Sequence, residues 1–302
     1  MNLPYLLPGI KNNVSLKNYT TFKTGGKAKY FFVARNKENI ISAIATARKF
    51  KLPFFIIGKG SNLLASDRGF KGIVIKIQNT KYKILNTKIV AEAGILLSQL
   101  VSETIKKNLT GLEWAVGIPG TLGGAIYGNA GAFKKSIGDN TKEVEVYDLK
   151  SRKLRILKNK DCKFKYRESV FKENKNLVIL SAELQLKKGD ERKIEDGVKE
   201  YLNYRKNTQP LNFPSIGSIF KNTPLHSAGE LIEKCGLKGK RIGHVQISEK
   251  HANFIVNLGK GKAKDVVTLI KLIQKKVKNR FNIGLKEEVQ YLPSSRESHY
   301  WA

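Results

Sequence analysis

GIPGTLGGAIYGNAG, the stretch from Gly117 to Gly131, is the most unusual segment of this chain. Six of its fifteen residues are glycine, and the wider run from Trp114 to Phe133 contains no charged side chain, although charged residues make up 27% of the sequence. Glycine loses more conformational entropy on folding than other residues, so it is favoured only where φ is positive or where the backbone approaches another group closely. The stretch therefore predicts backbone packed against a ligand.

Two other interpretations of this stretch stay open at this point. Clusters of glycine also mark plain buried turns between two elements. An uncharged run of about twenty residues has the length of a transmembrane helix. Pro119, Thr121, Asn129 and the high glycine content argue against the transmembrane interpretation, because they make the run only weakly apolar.

The length of 302 residues predicts two domains, or one large domain with an addition. The first ten residues lack a basic segment followed by an apolar one, so we read no signal peptide and expect a cytoplasmic protein. Cys162 and Cys235 are the only cysteines, and the four histidines lack metal-ligand spacing. We expect a reducing compartment and no metal centre.

The formal net charge of +31 raises the question of a polyanionic partner. The chain contains 45 lysines and 11 arginines, which are spread along it without a long basic arm. Arginine is the residue favoured for bidentate phosphate and base recognition, so this excess of lysine favours a compositional property of the host over a nucleic-acid groove. We expect no specific nucleic-acid partner, and a small anionic substrate would profit from the positive field.

Apolar patterns predict a strand-rich α/β first part and a smaller α+β second part. The charged segment Lys187 to Lys193 is the expected boundary, which gives domains at 1–188 and 189–302. The patterns predict strands at YFFVA, FFIIG, GIVIKI, KIVAEAG, EVEVYDL, LVILSAELQL and HANFIVNLG, helices over 38–50, 95–106, 194–206 and 266–281, and a helix capped by Ser227. LKEEVQYL, near the end, predicts a last strand that carries Glu287 and Glu288.

The loop GKGSNLLASD, from Gly58 to Asp67, directly follows the predicted strand FFIIG. Two glycines and a Ser-Asn pair offer backbone N–H groups and short polar side chains, which suit a phosphate or diphosphate. The loop lacks both GxGxxG and the Gly-Lys-Ser/Thr of a P-loop. Ordinary turn chemistry remains an alternative for this loop on its own.

Six motifs in order give the chain a specific resemblance. They are TFKTGG (21–26), GKGSNLL (58–64), GIPGTLGGAIYGNAGA (117–132), YRES (166–169), GSIFKN (217–222) and LKEEV (285–289). Together they resemble the UDP-N-acetylenolpyruvoylglucosamine reductase (UDP-N-acetylmuramate dehydrogenase) family over about residues 18–292. The short spacing between YRES and GSIFKN is similar to the form of the family that lacks an extra loop over the substrate.

The resemblance implies an FAD-binding domain of the vanillyl-alcohol-oxidase (PCMH) type, with its core starting near residue 18, followed by a substrate-binding domain. In the family, NADPH reduces the flavin, and the enolpyruvyl group of the UDP sugar is then reduced to give UDP-N-acetylmuramate for peptidoglycan. The implied partners are the UDP-sugar substrate and NADPH. We expect a bacterial cytoplasmic enzyme that acts as a monomer and has no membrane partner.

The resemblance also assigns roles to residues. Arg167 and Glu288 match the pair that stabilises negative charge developing on the substrate carboxylate, and Ser218 matches the proton donor. Arg205 and Asn222 are candidates for holding the substrate. The implied cofactor contacts are Gly58, Lys59, Gly60, Ser61, Asn62, Gly117, Pro119, Gly120, Thr121, Gly123, Gly124, Asn129 and Ala130, with the backbone N–H groups of Gly60, Ser61, Asn62, Gly120, Gly123 and Gly124 as the expected donors.

The chain departs from the family motifs at two places. Thr223 stands where the family commonly has proline, and Gln290 stands where it commonly has arginine. Neither departure touches the three catalytic positions. Two alternatives remain: another FAD-dependent sugar or alcohol oxidoreductase of the same fold, and, from a different class, a basic protein that binds polyanions.

Overall fold

The structure is a computed structural model, and it describes residues 3–294. Helices lie at α1 (Leu3–Leu6), α2 (Lys37–Lys49), α3 (Leu97–Ile105), α4 (Leu122–Gly128), α5 (Ile137–Asn140), α6 (Val170–Glu173), α7 (Glu191–Thr208), α8 (Ala228–Lys234) and α9 (Ala263–Phe281). Short 3-10 helices lie at Leu16–Tyr19, Glu113–Ala115 and Asn159–Cys162. No helix within the described range is long and apolar enough to cross a bilayer.

The strands comprise all those that the patterns predicted in the first part, with additional short ones. They lie at β1 (Lys11–Ser15), β2 (Lys27–Ala34), β3 (Phe54–Ile57), β4 (Leu63–Ala65), β5 (Phe70–Ile77), β6 (Tyr82–Leu85), β7 (Lys88–Glu92), β8 (Leu109–Thr110), β9 (Gly131–Ala132), β10 (Lys135–Ser136), β11 (Thr141–Asp148), β12 (Lys153–Lys158), β13 (Leu177–Gln185), β14 (Lys187–Lys188), β15 (Ser215–Ser218), β16 (Arg241–Ile242), β17 (Val245–Ile247), β18 (Phe254–Asn257) and β19 (Gln290–Leu292).

Two sheets build the first part of the chain. One has the order β1-β2-β5-β3, in which β5 pairs in parallel with both β2 and β3. The other is antiparallel, with the order β12-β11-β13-β7-β6. A hydrophobic core joins them to α2 and α3, and the fully buried Trp114 lies within it. Helix α2 forms there because Asn36 caps its first turn, and it buries Ile40 and Ile44.

The second part packs two helices on a small antiparallel sheet. The sheet has the order β15-β18-β17-β16, and its core receives buried residues from both α8 and α9. Helix α9 buries Val266, Ile270, Ile273 and Val277, which recur at helical spacing along one face. This confirms the helix that was predicted over 266–281.

The two parts share structure instead of meeting only at a hinge. Strand β19, from the end of the described chain, pairs in parallel with β4 of the first part. Phe22 and Leu64 come from the first part, yet both lie fully buried in the core of the second. Helix α7 packs against the 3-10 helix Glu113–Ala115. The boundary at 188/189 stays a prediction.

Two sequence-based predictions near the second core are wrong in detail. Glu287 and Glu288 precede the last strand, which starts only at Gln290, because their backbone bridges to the segment after β15: Glu288 N–H donates to the Ile219 carbonyl at 2.8 Å. Ser227 occupies the N-cap position of α8 but makes no capping hydrogen bond with its side chain. Instead Asn222 Oδ1 accepts the N–H of Ala228 at 3.0 Å.

Candidate cofactor and active site

The two glycine-rich segments of the sequence lie against each other. A Cβ atom added to Gly58 would collide with Thr121 Oγ1, and one added to Gly120 would lie 3.6 Å from Ser61 Oγ. The loop after β3 therefore faces the turn that leads into α4. Sequence patterns could mark each segment as glycine-rich, whereas their contact depends on the fold of the whole first part.

Glycine is required in these loops for two different reasons. Gly60 has a φ of +71°, and a Cβ there would collide with the carbonyl oxygen of Tyr19, so its glycine serves the fold. Gly123 is equally constrained, because its Cβ would lie 2.8 Å from the Cβ of Ala93. Gly124 is different: it has no positive φ, and a Cβ there would meet nothing closer than Thr121 Oγ1 at 3.5 Å.

The open side of this pair of loops fits a dinucleotide cofactor. Glycine in a helix costs up to about 1 kcal/mol relative to alanine, and no packing contact requires it at Gly124, so the backbone there is open to a ligand. On the adjoining loop after β3, Gly60, Ser61 and Asn62 have backbone N–H groups that donate to no acceptor in the described part of the chain. Such amides suit the diphosphate of FAD.

Part of the amide prediction is not met. The Gly123 N–H donates to the Ala93 carbonyl at 2.8 Å, and the Gly124 N–H donates to Thr121 Oγ1 at 3.3 Å as the cap of α4. Both donors are thus used within the protein. The remaining expected donors on this segment and on the loop after β3 stay a prediction.

Arg167 and Glu288 form a partly buried ion pair. Arg167 Nε lies 2.7 Å from Glu288 Oε1, and the two side chains are 21% and 17% exposed. Arg167 has a φ of +56°, within a tight turn in which Lys165 and Glu168 exchange backbone hydrogen bonds. Lys172 Nζ donates to the Arg167 carbonyl at 2.7 Å, which helps to hold this uncommon backbone conformation.

The glycine-rich stretch also supports the turn that carries Arg167. Asn129 ends α4 in the left-handed conformation, and its Nδ2 donates to the Lys165 carbonyl at 2.9 Å. Ser169 Oγ donates to the Tyr127 carbonyl at 2.6 Å. The same segment that faces the loop after β3 therefore positions the guanidinium.

Hydrogen bonds connect the segment at Ser218 and the loop after β3 to the backbone of the same residue, Glu288. Ser218 ends β15, and the carbonyl of the next residue, Ile219, accepts the Glu288 N–H. On the other side, Asn62 Nδ2 donates to the Glu288 carbonyl at 3.0 Å. Thr21, from the TFKTGG motif, donates its hydroxyl to the Ser215 carbonyl at 2.7 Å. Four motifs that are distant in sequence therefore converge.

Burial raises the pKa of Glu288 above its ordinary value, although Arg167, Lys172 and Lys221 oppose that shift. Burial also lowers the pKa of Lys172, which Lys221 lowers further by repulsion. Lys221 in turn forms an ion pair with Glu168. A buried carboxyl with a raised pKa can keep its proton and act as a hydrogen-bond donor.

The two candidate substrate residues lie at different places. Arg205 is buried against the glycine-rich stretch: its Nη2 donates to the Trp114 carbonyl at 3.1 Å, and its guanidinium lies 5.5 Å from the ring centre of Phe133. Its Nε has no partner within residues 3–294. Asn222 lies beside the turn that carries Arg167, since its N–H donates to Tyr166 Oη at 3.2 Å.

Sequence reasoning missed several residues of this site. Lys172 and Lys221 surround the ion pair, but single lysines carry no signal in a chain with so many of them. Tyr166 was recognised only as part of YRES; its ring lies 5.2 Å from the Arg167 guanidinium carbon. No group of three or more candidate metal ligands occurs in the described range.

Comparisons with known proteins find similar chains over most of the length of this one. The family model described as "FAD binding domain" matches residues 28–156, and "UDP-N-acetylenolpyruvoylglucosamine reductase, C-terminal domain" matches residues 209–292. A curated UDP-N-acetylenolpyruvoylglucosamine reductase from Caldanaerobacter subterraneus subsp. tengcongensis is 43% identical, over 92% of this chain and 92% of its own. Another, from Clostridium novyi, is 38% identical, over 96% of this chain and 94% of its own. A crystal structure of UDP-N-acetylenolpyruvylglucosamine reductase (MurB) from Thermus caldophilus is similar with a TM-score of 0.80 and 33% identity, covering 93% of this chain and 98% of that one.

Proposed function

This chain belongs to the UDP-N-acetylenolpyruvoylglucosamine reductase family, and from that membership we propose which of its residues bind the cofactor, bind the substrate and supply the proton. The protein is an FAD-dependent oxidoreductase that uses NADPH to reduce the enolpyruvyl group of UDP-N-acetylglucosamine enolpyruvate in peptidoglycan precursor synthesis. This decides against the oxidase and polyanion-binding alternatives. FAD, when bound, supplies the hydride chemistry, and the protein supplies binding, orientation and protons.

We propose that FAD lies against both the loop after β3 and the turn before α4. The amides of Gly60, Ser61 and Asn62 would hold its diphosphate, and the open space at Gly124 would admit the cofactor close to the backbone. Three observations support this location: the unpaired amides, the room at Gly124, and the contact between Asn62 Nδ2 and the Glu288 carbonyl at 3.0 Å.

Arg167 and Glu288 would bind the carboxylate end of the enolpyruvyl group. The guanidinium compensates the negative charge that grows on the carboxylate during reduction, and a protonated Glu288 donates a hydrogen bond to the same oxygens. The 2.7 Å ion pair carries this proposal, because it fixes the two groups together in a partly buried site beside the cofactor loop. Tyr166 and Asn222 lie next to this pair and would contact the rest of the substrate.

Ser218 would hold at Oγ the proton that the carbon next to the carboxylate receives. A serine hydroxyl can act in this way only when it is held close to a strongly basic carbon. Gly217, with a φ of +79°, turns the backbone directly before Ser218, and Ile219 accepts from Glu288 directly after it. These contacts support a fixed position for the hydroxyl.

We further propose a monomer in the bacterial cytoplasm, with no specific nucleic-acid or membrane partner. We also propose a division near residue 188, where a charged segment separates the parts. Helix α7, directly after that boundary, packs on the first part and so connects the two.

Ser218→Ala tests the proton role. We expect the rate of substrate reduction to fall by about 10²- to 10⁴-fold, because the carbon loses its proton donor, while reduction of the flavin by NADPH stays within about twofold of the wild type. The two half-reactions are followed separately by stopped-flow absorbance of the flavin.

Ser215→Ala, on the same strand, is the matched control and should leave both rates unchanged. A turnover number for Ser218→Ala equal to that of the wild type would remove Ser218 from the mechanism. Loss of both half-reactions together would instead indicate a damaged cofactor site.

A further inference from the structure

Lys76 lies behind the loop that follows β3. Lys76 is the second-last residue of β5, and it pairs across the sheet with Ile57, the last residue of β3. Its side chain is partly buried, and Nζ donates a hydrogen bond to the carbonyl oxygen of Gly58. The carboxyl ends of parallel strands form the edge at which open α/β sheets bind ligands. Lys76 therefore belongs to that edge.

This lysine carries a charge without a counter-charge. Among the ion pairs of residues 3–294, none involves Lys76. Burial lowers the pKa of Lys76 to about 8, and repulsion from Lys59 adds to the shift. A partly desolvated cation is costly unless an anion compensates it. Its surroundings thus favour a negatively charged ligand.

The hydrogen bond also fixes the direction of the next amide. The C=O and N–H of a trans peptide unit point in opposite directions. Because the Gly58 carbonyl points at Lys76, the N–H of Lys59 points away from Lys76. The unpaired amides of Gly60, Ser61 and Asn62 follow directly along the loop.

We propose that Lys76 is an additional cofactor-binding residue: it anchors the Gly58 carbonyl and places an ammonium charge behind the loop that receives the diphosphate of FAD. This inference rests on the proposed location of the cofactor at that loop. The role is electrostatic and positional, and it is separate from the chemistry at Arg167, Glu288 and Ser218.

Lys59 is the charged group that acts on Lys76, and it does so by repulsion. Lys59 lies on the loop itself, and Lys71 is exposed near the start of β5. Lys27 and Lys29 on the neighbouring strand β2 are also exposed, and they lie toward the opposite end of the sheet from Lys76. Strand β3 contributes only apolar side chains. Lys76 is thus the group whose protonation should respond to FAD.

The test measures FAD release from the holoenzyme. Wild-type protein and the variants Lys76→Met, Lys76→Arg and Lys71→Met are diluted, and free FAD is followed by its fluorescence. Loss of a charge-assisted contact should weaken retention of FAD by about 10- to 100-fold in Lys76→Met. Lys71→Met removes the same charge from the exposed part of the same strand and should retain FAD as the wild type does. Lys76→Arg should restore most of the retention.

The pH dependence provides a second readout that a purely structural role would not move. FAD binds to the protonated lysine, so retention by the wild type should fall as the pH rises above about 8. Lys76→Arg keeps its charge and should show no such fall. Wild-type retention in Lys76→Met, or an unchanged pH response in Lys76→Arg, would overturn the inference. If Gly124→Val also keeps its FAD, the proposed cofactor location fails as well; if Gly124→Val loses FAD, only the role of Lys76 fails.

Discussion

Glu288 connects three parts of the candidate site. Its side chain pairs with Arg167, its carbonyl accepts from Asn62 on the cofactor loop, and its N–H donates to Ile219 beside Ser218. Burial raises the pKa of its carboxyl group, with the neighbouring cations acting in the opposite direction. In the proposed site, loss of the Glu288 proton would remove the hydrogen bond that this carboxyl group donates to the substrate.

Glu288→Gln tests the role of this proton. An acid whose pKa is raised is protonated below that pKa and loses its proton as the pH rises through it, so wild-type substrate reduction should decline on the alkaline side. The amide of glutamine remains a donor at every pH. We expect Glu288→Gln to retain measurable activity and to lose this alkaline decline in the pH profile of kcat.

Glu287→Gln is the control for that experiment. The substitution removes the same charge from the adjacent position. The Glu287 side chain accepts hydrogen bonds from Tyr291 and Gln274 and does not pair with Arg167. Its variant should keep the wild-type profile. An alkaline decline that persists in Glu288→Gln would show that another group titrates.

At the scale of the element, α4 shows that neighbouring glycines serve different purposes. Gly123 packs on Ala93 and donates its N–H to the Ala93 carbonyl, which makes it part of the fold. Gly124 has space beside it and no positive φ. The sequence alone presents both as one Gly-Gly pair, and only the packing separates them.

Valine at each of these positions gives a matched pair of variants. Both changes add the same β-branched side chain to the same helix, so the intrinsic cost to the helix is equal. Gly123→Val should lower the free energy of unfolding by about 1–3 kcal/mol through overpacking against Ala93. Gly124→Val should fold normally and be purified largely without FAD, as judged by flavin absorbance.

If Gly124→Val is purified with the FAD content of the wild type, as measured by flavin absorbance, this glycine faces no cofactor. A fall in the unfolding free energy of Gly124→Val equal to that of Gly123→Val would show that packing explains both. Denaturant unfolding of each variant, with FAD present in excess, separates the two effects.

Local pattern explains which elements could be predicted from sequence. Strands such as β2 and helices such as α9 were predicted because alternation and helical spacing of apolar residues are local properties. The left-handed turn at Arg167 and its pairing with Glu288 join residues 121 positions apart, and no local pattern encodes such a contact. Glu288 was expected inside a strand for the same reason: its backbone hydrogen bonds to Ile219, just after β15, and to Asn62, in the loop after β3, were not visible in sequence.

At the scale of the molecule, the two parts are stabilised by one another. Phe22 and Leu64 are fully buried in the second core although they belong to the first part, and β19 pairs with β4. Asn257 Nδ2 also donates to the Phe22 carbonyl at 2.8 Å. Such sharing favours unfolding of both parts in a single cooperative step.

Phe22→Ala tests this coupling. Removal of a fully buried phenylalanine should lower the free energy of unfolding by about 3–5 kcal/mol and should destabilise both parts together. Calorimetry should then show one transition at a lower temperature. Leu154→Ala, at a side chain that is 52% exposed, should leave the transition almost unchanged. Two separate transitions in Phe22→Ala, with only the second part destabilised, would contradict the coupling.

The pairing of β4 with β19 has a consequence for the order of events on the ribosome. Strand β4 directly follows the loop at Gly58 to Asn62, but its partner strand is synthesised more than two hundred residues later. Non-local contacts of this kind form late, because the intervening chain must first be available and ordered. The nascent chain can therefore build the parallel sheet of β2, β3 and β5 early, whereas the ion pair of Arg167 with Glu288 and the pairing of β4 with β19 form only when residues 288–292 have left the exit tunnel.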